Sequence, residues 1–309
     1  MCDFLSALVL RNGDIVADPE RGDSHEDLVR SLGLRDTGET TIAGRSFYRV
    51  EFTPPEDSTQ VEDLSTWTLK VDESVTPDWA DLVQARAKLE DRVRAMFVRD
   101  HRDELKGGCW ILLGNAVVDV VSDARIVLMC CKSSVSVMRG KSSVGRMYDK
   151  SRVGGMWGES SVGRMFGKSR VGVMWGESSI SVMWDKSRVD GMRGKSHVGV
   201  MCDESSVGVM YGKSSVDEMR GKSRVSVMRG KSRVGWMWGE SRIGGMRGKS
   251  RVGVMYGKSR VGVMWGESSI RVMRDKSRVG EMYGESRVGE MRDKSRVDVM
   301  YGESRVERR

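Results

Sequence analysis

From Lys132 onward the chain repeats a nine-residue unit, K/E-S-R/S-V-G-x-M-x-G/D. Unit starts run from Lys132 to Glu303 and give 19 complete units and a seven-residue remainder. A short fixed period limits the fold strongly, because each unit must bury its apolar face against its neighbours. Position 2 is Ser in every unit, from Ser133 to Ser304. Position 4 is Val, or Ile at Ile180, Ile243 and Ile270, and position 7 is Met in every complete unit, Met138 to Met300. Position 9 is Gly or Asp (Asp149, Asp185, Asp203, Asp275, Asp293). Positions 6 and 8 drift. Methionine has a single codon, so any base change at position 7 would show. Constraint on positions 2, 4 and 7 therefore explains the array better than slow mutation.

The pattern argues against a helix, since Gly or Asp recurs at positions 5 and 9 and each Gly costs about 1 kcal/mol in a helix. Positions 2 and 4 share one side of a strand. The expected fold is a β-solenoid of the parallel β-helix or β-roll type, with Ser, Val and Met inward. Gly at position 5 is expected to let the chain bend, Met to fill the core after it, and Gly or Asp at position 9 to suit the next turn. Nine residues are too few to enclose a core between sheets roughly 10 Å apart, so two units, about 18 residues, make one coil. The charge order runs against this. Lys and Glu at position 1 differ between successive units in 13 of 19 pairs, but between alternate units in 7 of 18.

Stepping back by 18 from Val135 and Met138 gives Val117 and Val120, and stepping back by nine gives Ile126 and Met129, with Asn115 and Ala124 at the Ser position. This predicts a solenoid starting near Gly114, through atypical units in a transition over 107–131. At the far end Arg309 falls where Met is due, and the charged last unit reads as a cap. About 11 coils at roughly 4.8 Å each predict a rod on the order of 50 Å.

Residues 1–106 carry 14 Lys+Arg against 23 Asp+Glu, a net of −9, and residues 107–309 carry 38 against 21, a net of +17. An acidic head thus joins a basic rod. The bland reading is a solvated surface with head–rod attraction, and the sharper one is a polyanion partner. Five cysteines (Cys2, Cys109, Cys130, Cys131, Cys202) fit neither a disulfide framework nor a zinc site, and suggest a reducing compartment. No signal-like or membrane-spanning run is present in the sequence, so a soluble protein in the host-cell cytoplasm is expected, without membrane contact.

The head reads as a small α+β domain over 1–106. Phe4–Leu10 is an expected strand, Asn12-Gly13 a hairpin turn and Asp14–Ala17 the return. Ser24 caps a helix with Asp27 at its third position, Leu28, Leu32 and Leu34 on its buried side and Gly33 as its stop. Ser46–Thr53 and Thr66–Val71 are expected strands, the latter with Trp67, Leu69 and Val71 on one face. Pro77 opens a long helix from Asp78 to about Leu105, with Leu82, Ala85, Leu89, Val93 and Met96/Phe97 at helical spacing. Gly107-Gly108 then leads into a strand, Cys109–Leu113.

Several head motifs occur together: M-C-x-F, N-G-D-I (Asn12–Ile15), D-S-H-E-D-L (Asp23–Leu28), R-V-E-F-T-P-P (Arg49–Pro55), L-K-V-D-E-S with P-D-W, and G-G-C-W-I-L (Gly107–Leu112). With these, residues 1 to about 130 resemble a family of uncharacterised phage and prophage proteins in which a similar head precedes short tandem repeats. The resemblance implies a phage or mobile-element origin and brings no activity and no functional residues.

Cys2 is the sharpest enzymatic lead. With Met1 removed, its amine can act as base for its own thiol, but Asp3-Phe4 follows where such amidotransferases usually carry Gly. A buried or incidental thiol is the plainer reading. Asp23, His25, Glu26 and Asp27 lie too close along one chain to surround an ion and read as a helix start. His101 and His197 stand alone. Cys130-Cys131 reads as an incidental turn more readily than a redox pair, and the array lacks the paired acids of calcium rolls. Catalytic, cofactor and metal residues are therefore not assigned.

Position 8 is the most informative outward column, with 11 aromatic residues, seven Arg and Cys202, while position 3 adds 12 Arg. The candidate contact surface is Trp157, Trp175, Trp184, Arg193, Tyr211, Arg220, Arg229, Trp238, Arg247, Tyr256, Trp265 and Arg274. These residue types suit a protein partner or nucleic acid and other polyanions. They equally suit mutual stacking along the rod, and self-association is open too. The expectation is a non-enzymatic phage-type structural or binding repeat protein whose solenoid contacts a protein partner. The alternatives are a polyanion-binding module, a Cys2 enzyme in the head, and a drifting minisatellite with little selected role.

Overall fold

The computed structural model describes residues 5–17, 24–34, 46–55, 57–73 and 75–308. Cys2, Phe4, Asp23 and Arg309 lie outside the described residues. The head is a four-stranded sheet in the order β2-β1-β3-β4, antiparallel throughout. Its strands are β1 (Leu5–Leu10), β2 (Ile15–Val16), β3 (Phe47–Thr53) and β4 (Thr68–Val71). The Asn12-Gly13 hairpin forms, with Gly13 at φ +81°. Helix α1 (His25–Ser31) is capped by Ser24, whose side chain accepts from the Asp27 N–H. Its buried side is His25, Leu28 and Val29. Leu32, expected inward, is exposed, because the helix ends there and turns through Gly33 at φ +62°.

The second helix is shorter than its spacing predicts. Helix α2 spans Leu82–Ala95, capped by Asp81, and buries Ala85, Leu89 and Val93. Leu82 is exposed. Residues beyond Met96 leave the helix for β5 (Phe97–Val98) and β6 (His101–Lys106), which pair with β7 (Cys109–Leu112) and β8 (Val117–Ser122). Ladder pairing with the rod overrides local helix preference. The stacking therefore begins before Gly114, inside the acidic segment.

From there the chain is a parallel β-solenoid. One strand follows another from β9 (Arg125–Met129) and β10 (Ser134–Arg139) to β28 (Arg296–Met300) and β29 (Arg305–Arg308), alternating between two sheets. One sheet has 12 strands and the other 13, about one coil more than the sequence suggests. Strands stack in parallel at a step of 18 residues, as in Val153↔Val171 and Met156↔Met174. Each unit supplies its strand from positions 3 to 7 and its turn from positions 8, 9, 1 and 2. In the turn the position 2 N–H donates to the position 8 carbonyl (Ser151 to Tyr148, 3.1 Å). Position 9 takes positive φ, +72° at Gly158 and +57° at Asp149. That is the demand which restricts this position to Gly and Asp.

The inward assignment holds. Ser at position 2 is fully buried from Ser133 to Ser286, and Met at position 7 from Met138 to Met282. Val or Ile at position 4 is at most 2% exposed through Val288. Since positions 4 and 7 both point inward, the alternation of a strand must break once between them. It breaks at position 5, which the ladder register skips (Val153↔Val135, then Gly155↔Val137). The expected bend is thus contained within one continuous strand. A Cβ on Gly154 would come within 2.5 Å of the Ser136 carbonyl oxygen one coil back.

The first coils correct the extrapolated register. Val135 stacks on Val118 and Met138 on Val121, one residue off a step of 18. Val117 is exposed, while Ala116 and not Asn115 takes the buried Ser position. The turn through Asp123 is one residue short, and Asp123 adopts φ +48° to close it. At the far end Val297, Met300 and Val306 are only partly buried. Glu307 and Arg308 of the last described strand are exposed. The head core, with Trp67, Tyr48 and Leu89, packs onto Ile111, Leu113, Val127 and Leu128 of the first coils, in a cluster separate from the Val and Met core of the rod.

Candidate functional site: the outward columns of the rod

Because a coil holds two units, position 8 forms two columns on opposite edges rather than the one surface expected. After the 12-stranded sheet come Trp157, Trp175, Arg193, Tyr211, Arg229, Arg247 and Trp265, and after the 13-stranded sheet Trp184, Arg220, Trp238, Tyr256 and Arg274. Most of these side chains stack on one another. Trp157 and Trp175 lie 5.3 Å apart at 4°, and Trp238 and Tyr256 4.1 Å apart at 7°. Arg193 sits between Trp175 (4.6 Å) and Tyr211 (5.5 Å). Arg229 covers Tyr211, Arg247 covers Trp265 and Arg274 covers Tyr256. Trp184 and Arg220 stand outside these stacks, and Arg220 binds Glu218 at 2.7 Å. Each cation–π contact contributes about 0.5–1 kcal/mol at an exposed site, so the ladder stabilises the rod from outside while leaving ring edges exposed.

The other columns also divide by face. Arg fills position 3 in eight of ten units of the 12-stranded sheet, but in four of ten on the other, where Ser is usual. On the arginine face Arg170 and Arg188 reach Asp190, and Arg278 and Arg296 reach Asp298. All five position 9 aspartates lie on the edge after the 13-stranded sheet. Each accepts a backbone N–H from the same turn one coil back, as Asp185 does from Gly167 at 2.9 Å. Position 1 forms ion pairs at the 18-residue step: Lys195–Glu177 at 2.7 Å, Lys249–Glu267 at 3.2 Å, Lys258–Glu240 at 3.7 Å and Lys186–Glu204 at 3.8 Å. The hydrogen bond and charge of Lys195 hold the Glu177 carboxyl below its ordinary range, and Glu177 raises Lys195 in turn. So the 18-residue coil does use the charge order, at the few places where opposite charges stack.

A shallow groove of about 1100 Å³ runs along the 13-stranded face. Its lining holds eight cations, Lys195, Lys213, Lys231, Lys249, Arg233, Arg251, Arg271 and Arg287, against Asp217, Glu267 and Glu307. Its floor includes Gly235 and Gly253. Beside it is Trp236, the one aromatic residue in column 6, 45% exposed. Trp236 stacks on no ring or guanidinium among the described residues. The sequence signal was available, an aromatic residue in a column of Val, Gly, Glu and Arg, but the period of nine hid its position beside the cations.

No family model, curated protein or solved structure matches this chain.

The remaining candidates are tied into the structure. His25 Nε2 meets the Val50 carbonyl at 3.0 Å and Nδ1 meets Asp72 at 3.4 Å. Its neighbours are therefore Glu51 of β3 and Asp72, just past the end of β4, while Glu26 and Asp27 are exposed. His101 is not alone: Asp119 lies at 3.1 Å and Asp103 at 3.8 Å. His197 meets Ser215 at 3.1 Å and Asp217 at 3.2 Å. Either acidic group around His25 or His101 offers cation ligands, and both rings already have oxygen partners. The Cys130 and Cys131 sulfurs lie 3.3 Å apart. Burial first, then Cys131, pushes the Cys130 thiol up to about 12, so at neutral pH it is an unreactive thiol. Burial likewise raises Cys202. Among the described residues no helix is long and apolar enough to cross a membrane.

Proposed function

We propose that this is a non-enzymatic structural or binding repeat protein, of the phage or mobile-element type its head resembles, whose solenoid surface contacts a protein partner. One observation carries the reading. The positions held constant across the array (2, 4 and 7) are the buried ones, and the positions that vary most (6 and 8) face outward. A frame kept fixed while its surface varies is what a display scaffold requires. The exposed members of column 8 include Trp157, Trp184, Trp238 and Trp265, and Trp and Arg are the residue types that dominate protein-binding hot spots.

The test uses full-length protein as bait in nuclease-treated lysate at high salt, beside a variant with Trp157, Trp184 and Trp238 changed to Ala. A protein captured by the wild type and lost with the variant is expected. Capture that the variant leaves unchanged, or that nuclease abolishes, would overturn the reading.

A further inference from the structure

We propose that the groove on the 13-stranded face binds single-stranded nucleic acid, with phosphates on its cation rows and a base on Trp236. This site is separate from the column 8 edges assigned above to a protein partner. Lys213, Lys231 and Lys249 occupy position 1 of successive coils on this face, and Arg233 and Arg251 position 3. Stacked coils bring these like charges to roughly 4.8 Å from each other. Lys249 is paired with Glu267. The side chains of Lys213, Lys231, Arg233 and Arg251 have no ion pair or hydrogen bond among the described residues. Like charges stacked in register are unfavourable, and a linear anion along the coil axis relieves them. On the adjoining edge the aromatic ladder is interrupted by Arg229 and Arg247, so successive turns there read Arg-Gly-Lys at the same coils.

Charge alone fits any polyanion; Trp236 narrows the class. It lies on the same strand as Arg233, three residues on, or about 10 Å along it. In the ladder it stands between Glu218 and Val254. Val254 is the one buried valine of column 6, 5% exposed, as an indole lying along the sheet would make it. The indole itself is 45% exposed and stacks on no ring or guanidinium among the described residues. An open ring face beside a cation row is the arrangement that tracks a single strand, because a free base stacks on it whatever its identity. A duplex keeps its base faces stacked internally. The opposite face has more arginine, but its neighbouring rings are engaged in stacks, so it lacks this second element.

The experiment measures anisotropy of labelled oligo(dT) and oligo(rU) with the full-length protein, against a duplex and inorganic polyphosphate as competitors. Two variants use residue types the array already places in those columns, so folding is retained and far-UV spectra check it. One is K213E/K231E/R233S/R251S, and the other is Trp236→Val. Binding of either oligonucleotide is expected, weakening about 50-fold from about 50 to 200 mM salt for roughly four phosphate contacts. The quadruple variant should abolish it, and W236V should weaken it about 5- to 100-fold. A control on the opposite face, R224S/R242S/R260S, should leave most of the affinity. No binding at low salt would overturn the proposal. So would loss through the control variant alone, or polyphosphate and duplex competing as well as oligo(dT) with W236V unaffected.

Discussion

In the head, Trp67, Tyr48 and Phe52 are buried once each, in a core that no other part of the chain copies. In the rod, two side chains per unit, Val or Ile and Met, fill the core repeatedly from coil to coil. The head depends on the fit of unlike shapes, so a single truncation opens a hole its neighbours cannot close. The rod depends on neighbour-to-neighbour contacts, and its stability is a sum over coils. Flexible methionine suits that arrangement, because it adapts to each small irregularity of the stack. The two regions nevertheless share apolar contacts at Ile111, Leu113, Val127 and Leu128, so the first coils should unfold with the head.

The largest test of this contrast lies in the rod. Met165, Met174 and Met183 are fully buried, with Met165 stacked on Met183. Replacing all three with Asp buries carboxylates without partners, each costing several kcal/mol. The rod should unfold around them, seen as loss of far-UV β-sheet signal and a lower melting point. An unchanged spectrum and melting point would refute the inward assignment of position 7. By contrast Met174→Leu keeps the volume and should cost less than about 1.5 kcal/mol.

The head should respond more sharply to a single truncation. Trp67 is 2% exposed, packs 5.1 Å from Phe52 and donates from Nε1 to the Val61 carbonyl at 3.0 Å. Trp67→Ala should cost about 3–5 kcal/mol by denaturant unfolding. Hydrogen exchange should then rise at Ile111 and Val127 as well as in the head sheet. Protection kept at those two sites would mean that the head melts apart from the rod. A smaller effect belongs to the turns. Asp185 combines φ +55° with a bond to the Gly167 N–H. Asp185→Ala should lose about 2 kcal/mol, from left-handed strain and one hydrogen bond, and Asp185→Gly should lose less. Equal losses would remove backbone strain as the reason for Gly and Asp at position 9.

The same contrast governs what the sequence reveals. The rod was legible because each fixed position meets the same physical demand in every unit, so buried Ser, Val and Met could be read from invariance alone. The head offers each signal once. There the apolar spacing beyond Ala95 resembled a helix, while Phe97–Val98 and His101–Lys106 are claimed by pairing with strands later in the chain. Local periodicity carries no trace of such long-range pairing. Val117 was misplaced for a related reason, since a turn shortened by one residue at Asp123 shifts every inward position before it. The candidate surface was half legible. Column 8 was found, but a period of nine superimposes two faces that the coil of 18 separates. Arginine on one face, aspartate on one edge and Trp236 beside the lysines become visible only when odd and even units are read apart.

The smallest expected effect bears on why position 2 is always Ser. The Ser142 hydroxyl has the carbonyls of Val121 (3.0 Å) and Arg139 (2.5 Å) within reach and donates its one proton to either. Ser160 is equally buried, and its hydroxyl has no partner among the described residues. Ser142→Ala should therefore cost about 1 kcal/mol, while Ser160→Ala should be neutral or slightly stabilising, because it removes an unpaired buried hydroxyl. The first coils already point that way: Ala116 and Ala124 fill the same place and are buried without a hydroxyl. On this account the column needs a small side chain where the turn closes onto the core, and the hydroxyl adds little in most units. A loss in Ser160→Ala equal to that in Ser142→Ala would reverse the conclusion. Each serine would then hold a carbonyl of the preceding coil, and the column would be a hydrogen-bonded seam running the length of the rod.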